Sequence, residues 1–282
     1  MKNIAFGQYY PVDSVIHRMD PRAKVVMAML YIVCTFICKN TFAFALLTVV
    51  TVISVLLSRI PLKTVLQSMK PLLFILIFTS FINVFMTSGE QLLTPEHWRI
   101  KIYAEGVWNA VFMVLRIVAL LISTGVFLSF TTTPIALTDA MEQLLSPLKK
   151  IHVPVHDIAM MTTIAMRFIP TLMEETEKIM NAQKSRGANF QSGGLVQRAK
   201  ALLPVFIPLL SSAFKRADEL ANAMDCRCYN GGEGRTKLKV MTAHFSDYLF
   251  LVITTAITVA IFFVNRIQWT EVALFCTTLF SK

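Results

Sequence analysis

Five apolar runs constrain this chain more than any other feature: Val25–Cys38, Thr41–Leu57, Pro71–Met86, Val107–Phe130 and Tyr248–Val264. They span 14, 17, 16, 24 and 17 residues, against about 20 for a straight helical crossing of a bilayer core. A sixth run, Thr270–Phe280, is shorter and carries Glu271. Backbone in lipid must satisfy its own polar groups, so such runs fold as helices. Flanking residues that tolerate the interface complete the shorter ones. Only Lys39-Asn40 parts the first two, which suggests a tight helical hairpin. Composition agrees: 55% of residues are hydrophobic and 16% charged, where soluble chains carry roughly 25% charge. Mean hydropathy is +0.60. The expected fold is an all-α integral membrane protein, a bundle of about five to seven membrane helices with long amphipathic helices attached.

Charge gives the orientation. The net charge is +10, and basic excess in short loops marks the cytoplasmic side. Lys2, Arg18, Arg22 and Lys24 precede the first run, and Arg59, Lys63 and Lys70 lie between the second and third. The turn after the first run has only Lys39, and residues 87–106 balance Arg99 and Lys101 against Glu90, Glu96 and Glu105. Residues 1–24 therefore read as a cytoplasmic arm and 25–130 as four spans. Residues 131–247 read as a cytoplasmic or interfacial module, and 248–282 as C-terminal span or spans. Asp20 is placed to cap the first helix with Pro21 at its first position. Arg116 lies midway along the fourth run. A charge at that depth faces the bundle interior, where a backbone carbonyl or Asn83 can receive it. No short apolar stretch with a small-residue cleavage site precedes the first run, so no cleavable signal peptide is expected.

The module after residue 130 has helical periodicity. Pro134–Leu145 follows three threonines, good N-cap chemistry with proline just inside. Leu210, Ala213, Phe214, Ala217, Leu220, Ala221 and Met224 share one helix face, opposite Lys215, Arg216, Asp218, Glu219 and Asp225. A looser copy sets Leu172, Met173, Ile179 and Met180 against Glu174, Glu175, Glu177, Lys178 and Lys184. Asp157–Leu172 and Ala201–Phe214 are apolar but contain Arg167, Pro170, Pro204 and Pro208. They read as helices along the membrane interface, with true spans as the second reading. The prolines are expected to break the helices near their membrane ends.

One segment occurs twice. Asn-Ala-x-x-x-Arg appears at Asn181–Arg186 and at Asn222–Arg227, each downstream of a Phe-Ile-Pro triplet, at Phe168–Pro170 and Phe206–Pro208. Gly187 follows Arg186 directly, and Gly231-Gly232 follow Arg227 after three residues. Arginine at a helix C-terminus complements the helix dipole, which explains one copy. Two copies suggest two equivalent docking points for a partner with two equivalent subunits. A planar guanidinium suits a carboxylate-lined groove.

Other chemistry is sparse. Cys34 and Cys38 sit in an apolar run and read as small packing residues. Cys226-Arg227-Cys228 lacks further ligands for a metal, and five cysteines do not suggest a disulfide framework. The five histidines are scattered, and His152 with His156 make no metal site. There is no phosphate-binding G-x-x-x-x-G-K-[ST] loop and no evident nucleophile set, so no catalytic residue is assigned. No basic stripe with interleaved aromatics suggests nucleic acid.

The chain resembles the transmembrane (T) component of energy-coupling factor (ECF) transporters, the vitamin and metal uptake systems of prokaryotes. The resemblance runs through Gly7–Lys24, Arg167–Gly187 and Arg216–Tyr229. The family's Ala-Arg-Gly-like triplets stand here as Ser185-Arg186-Gly187 and Cys226-Arg227-Cys228. Cys228 in place of glycine puts a left-handed turn directly after Arg227 in doubt, leaving Gly231-Gly232 to end that helix. The resemblance implies a prokaryotic plasma-membrane protein, N-terminus and coupling helices cytoplasmic. It also implies two ABC-type ATPase subunits, each receiving one arginine tip, and a separate membrane substrate-binding (S) component. This chain would hold no cofactor, since ATP and magnesium would belong to the ATPases. Met160, Met161, Met166, Met173 and Met180 suit an S-component contact, methionine being a re-packable surface residue. The alternative is a permease subunit with its own substrate path. It requires a polar cavity through spans that are poor in polar residues. A membrane-embedded enzyme would need clustered acids, histidines or cysteines at one depth, and none is visible.

Overall fold

The computed structural model describes residues 9–38, 41–87, 103–190, 194–231 and 244–266, and all regular structure among them is helical. The helices are α1 (Val15–Arg18), α2 (Pro21–Ile37), α3 (Thr41–Ser58), α4 (Leu62–Met69), α5 (Leu73–Met86), α6 (Ala104–Thr124), α7 (Pro134–Leu144), α8 (Val155–Ser185), α9 (Leu195–Asp225) and α10 (Phe245–Arg266). A 3-10 turn, Lys70–Leu72, joins α4 to α5; a π-helical segment, Gly125–Phe130, extends α6; another 3-10 turn covers Ser146–Ile151. Four stretches are long and apolar enough to cross a membrane: Thr41–Ser58, Leu62–Met86, Gly106–Phe130 and Phe245–Val264. With α2, 17 residues long, they give the multi-pass α-helical membrane protein that the apolar runs require. The sixth run, Thr270–Phe280, lies outside the described residues, as do Lys39-Asn40 and Cys276.

The chain forms two compact units, one from residues 1–137 and 241–282, the other from 138–240. In the first unit α2 packs chiefly on α10, α5 on α6, and α3 on both α6 and α10. The first two runs are therefore neighbours in sequence more than in packing. Ala28, Cys34 and Thr35 on the buried face of α2 are small, and small residues allow close helix approach in membranes. Cys34 and Cys38 are buried free thiols in a cluster with Tyr31, Ala43, Leu47 and Ile261. The third span begins earlier than its apolar run. Residues Leu62–Met69, between runs two and three, are a helix with Val65 buried and Lys63 exposed.

Several polar groups at the spans find partners within the bundle. Asp20 Oδ1 accepts from the Arg22 amide at 2.9 Å with Pro21 at the first helical position. Arg116 donates to the carbonyl of Cys38 at 2.6 Å, satisfying a carbonyl just past the last turn of α2. Asn83 instead donates to Thr79 O and the Met113 sulfur. Thr35, Thr51 and Ser54 each donate to the carbonyl four residues back, and Ser58 to the one three back. Tyr31 and Thr51 hydroxyls pair across α2 and α3. The serine and threonine hydroxyls close helix carbonyls.

In the second unit, His156 Nδ1 meets Glu142 Oε1 at 3.0 Å, fastening α7 to the start of α8. The α7 start follows its sequence: Ala136 N donates to Thr133 Oγ1 at 3.4 Å. Helices α8 and α9 are each 31 residues long and run through Pro170, Pro204 and Pro208 without a break. This corrects the expectation that the prolines end helices. Each proline removes one backbone hydrogen bond, but all three rings lie on exposed positions, and long flanking helix on both sides holds the register.

Candidate functional site

Helices α8 and α9 are antiparallel. Glu175 in α8 takes a hydrogen bond from Ser212 at 2.6 Å and an ion pair from Arg216 at 3.0 Å, both in α9. Nearer the start of α8, Met160 and Ile164 share a cleft of about 470 Å³ with Met224, Arg227, Cys228 and Tyr229 from the end of α9. As residue numbers fall along α8 they rise along α9. The Ser212 hydroxyl, followed by the Arg216 guanidinium, holds the Glu175 carboxyl below its usual range.

That arrangement puts the two arginines at opposite ends of the pair. Arg186 caps α8 at one end, and Arg227 lies beside Ile164 toward the other. From Ile164 to Arg186 is twenty-two residues, about 33 Å along the helix at 1.5 Å per residue. Both guanidinium residues are exposed. Among the described residues no hydrogen bond or ion pair engages either side chain.

The two turns have one hydrogen-bond frame. At the first, Gly187 N donates to Lys184 O at 3.0 Å and Ala188 N to Gln183 O at 3.0 Å. At the second, Cys228 N donates to Asp225 O at 2.9 Å and Tyr229 N to Met224 O at 3.1 Å. Each is a Schellman closure, with the residue after the arginine in the left-handed region. Gly187 has φ +88° and Cys228 has φ +54°. The left-handed turn directly after Arg227 therefore forms without glycine. A side chain there costs about 1–2 kcal/mol, which two backbone hydrogen bonds and the length of α9 sustain. Gly231, at φ +80°, makes a second left-handed residue beyond it rather than the first. Ser185 is also exposed and donates to Asn181 O at 3.1 Å; Cys226 and Cys228 are exposed free thiols.

A family described as cobalt transport protein, CbiQ, matches residues 13–238, a span holding both tips. The chain belongs to this family. Relatives named energy-coupling factor transporter transmembrane protein EcfT agree with it along most of their length. The one from Ruminiclostridium cellulolyticum is 49% identical over 255 residues, covering 90% of this chain and 94% of its own. Those from Clostridium kluyveri and Bacillus subtilis are 45% and 42% identical, covering 95% and 94% of this chain and 99% of each relative. The chain is thus a transmembrane component of an energy-coupling factor transporter.

Within this CbiQ-family fold the five methionines separate. Met160 lines the cleft with Arg227, on the side of α8 that carries Ile164 and Glu175. Met166, Met173 and Met180 recur every seven residues, which places them in one stripe on the far side of α8. Met161 is 61% exposed between the two sets. On α9, Leu203, Phe206, Ile207, Leu210 and Phe214 are exposed, so this stretch of its apolar face is not the part that meets α8. Sequence reading missed the Glu175–Ser212–Arg216 knot. The signal was one acid facing away from the methionine stripe, but its partners lie 37 and 41 residues on.

Proposed function

We propose that this chain is the coupling subunit of the transporter, carrying the motion of two ABC-type ATPase subunits to a separate S-component that binds a vitamin or similar micronutrient. One observation carries the reading: two exposed arginines, each on the same Schellman turn, stand at opposite ends of one antiparallel helix pair. A pair of like subunits needs two like contacts held at a fixed separation, and about 33 Å of α-helix supplies a stiff spacer. Ser185-Arg186-Gly187 and Cys226-Arg227-Cys228 are the two contacts, each guanidinium entering an acidic groove of one ATPase. ATP and magnesium are held by the ATPases, so this chain performs no catalysis. The exposed apolar face of α9 and the methionine stripe of α8 offer the S-component a re-packable surface, and the remaining apolar surface meets lipid. By the basic loops, the N-terminal arm and α7–α9 are cytoplasmic.

The test is a detergent pull-down of tagged wild type beside an Arg186→Glu/Arg227→Glu double variant. Wild type is expected to bring down two ATPase chains and a small membrane protein, and the double variant to lose at least nine-tenths of the ATPase. Equal ATPase recovery from both would contradict the docking roles.

A further inference from the structure

Both passages of the chain between its two units lie close in sequence to the surroundings of one buried amine. The outgoing passage leaves the first unit after residue 137, and the returning one re-enters it at 241. Thr131 and Thr132 precede the first, and Asp247 follows the second. Lys24 is 1% exposed. Its Nζ donates to Thr131 O at 2.9 Å, His17 O at 3.3 Å and Thr132 Oγ1 at 3.4 Å. Asp20 and Asp247, themselves 7% and 3% exposed, supply the counter-charge. Asp247 also fixes the start of α10, its Oδ2 accepting from His244 N at 2.8 Å.

The outgoing segment is held from further sides. Thr131 and Thr132 hydroxyls both donate to Phe127 O at 3.1 Å, a carbonyl inside the π-helical turn. Tyr10 N donates to Phe130 O at 3.0 Å. His17 Nε2 lies 2.9 Å from Tyr10 O, a carbonyl, so that nitrogen carries the proton and Nδ1 accepts from Ser14 Oγ at 2.7 Å. Gly125 admits this packing because a Cβ there would stand 2.9 Å from the Phe130 ring. π-Helical turns recur at functional sites. Here the turn stands where the longest span ends and the chain departs for the second unit.

We propose that Lys24 is a positioning residue of energy coupling. Its amine ties the outgoing segment and the N-terminal arm to α2. Motion carried along the outgoing segment therefore enters the bundle at Lys24. This rests on the coupling role proposed above. A buried cation whose donors are all directed to backbone and hydroxyl acceptors of different elements acts as a mechanical joint, since displacing any element breaks a charge-assisted bond.

The experiment uses the whole complex, purified with its ATPases and S-component and placed in liposomes. Phosphate release and uptake of a tritiated vitamin are measured together. The vitamin is the one that mass spectrometry finds bound to the co-purified S-component. Lys24→Met is expected to lower vitamin moved per ATP hydrolysed at least tenfold while the ATPases still co-purify. Thr132→Val is expected to lower the ratio two- to threefold, and Thr132→Ser to restore it. A merely structural lysine would change the yield of complex and leave the ratio alone, so an unchanged ratio in Lys24→Met and Thr132→Val overturns the proposal. If Lys24→Met does not assemble, the Thr132 pair decides it the same way. Failure of the docking reading shows elsewhere, as an arginine double variant that keeps its ATPases.

Discussion

Lys24 and the paired arginines are three cations put to opposite uses. Lys24 is almost wholly buried, and its three donors are directed to His17, Thr131 and Thr132. Arg186 and Arg227 are exposed, on turns whose backbone is fully closed without them. The first holds the chain to itself. The other two contribute little to the fold, which leaves them available to a partner. Burial and hydrogen bonding, not residue type, separate a cation that organises a fold from one that recognises another molecule.

The contrast is broken most directly by removing each cation and measuring stability. Lys24→Met leaves Thr131 O without its donor and removes the buried amine whose charge faces Asp247. It should destabilise the chain in detergent by about 2 kcal/mol. Arg186→Glu and Arg227→Glu should change stability by less than about 0.5 kcal/mol, as exposed substitutions do. Thermal unfolding of the three variants checks this, and equal losses would erase the distinction.

pH sharpens the same comparison. Burial pushes the Lys24 amine down to about 8, opposed by the charges of Asp247 and Asp20. An unfolded lysine titrates near 10.4. Between those values the unfolded chain binds more protons, so stability rises with pH across that window and the gain is lost as pH falls through about 8. The difference in unfolding midpoint between wild type and Lys24→Met should grow from pH 7.5 to 10, whereas the arginine variants should track wild type throughout.

The two tips can also be set against each other. They share a hydrogen-bond frame but differ in the residue that takes the left-handed conformation. Nothing lies within 4 Å of a Cβ placed on Gly187, so Gly187→Ala meets only backbone strain, about 1 kcal/mol. Cys228→Gly relieves the same strain and should stabilise the second turn by a similar amount. Hydrogen exchange at the Ala188 and Tyr229 amides reads both, faster in the first variant and slower in the second. The smallest effect is expected at the middle of the pair. Glu175→Gln removes one partly exposed ion pair and should cost about 0.5 kcal/mol. Its wild-type contribution is present above the ordinary carboxylate range and fades as pH falls through the depressed value.

What the sequence made legible follows from how local each feature is. The apolar runs, the Asp20 cap with Pro21 behind it and the Thr133 start of α7 depend on neighbours within four residues. The need of Arg116 for an interior acceptor was also visible, though Cys38 as its carbonyl partner, 78 residues away, was not. The doubled arginine segment stood out by repetition alone. Lys24 read only as one of the basic residues before the first run because its best acceptor is 107 residues away. The prolines of α8 and α9 misled because propensity weighs a residue by itself, and a 31-residue helix absorbs the one missing bond of α8 or the two of α9. Cys228 misled for a related reason: the preference for glycine is about one or two kcal/mol, less than a closed helix end supplies. Helix α4 was hidden in a basic stretch whose lysines suggested a loop.

The central claim is that Arg186 and Arg227 are two separate and equivalent docking points. Native mass spectrometry of the detergent-purified complex tests it with wild type, each single Arg→Glu variant and the double. The expected masses hold two ATPase chains per copy of this chain in wild type. Each single variant should release ATPase to a similar degree, since the pair grips one assembly, and the double variant should carry none. Two ATPase chains retained in either single variant at wild-type abundance would contradict the account.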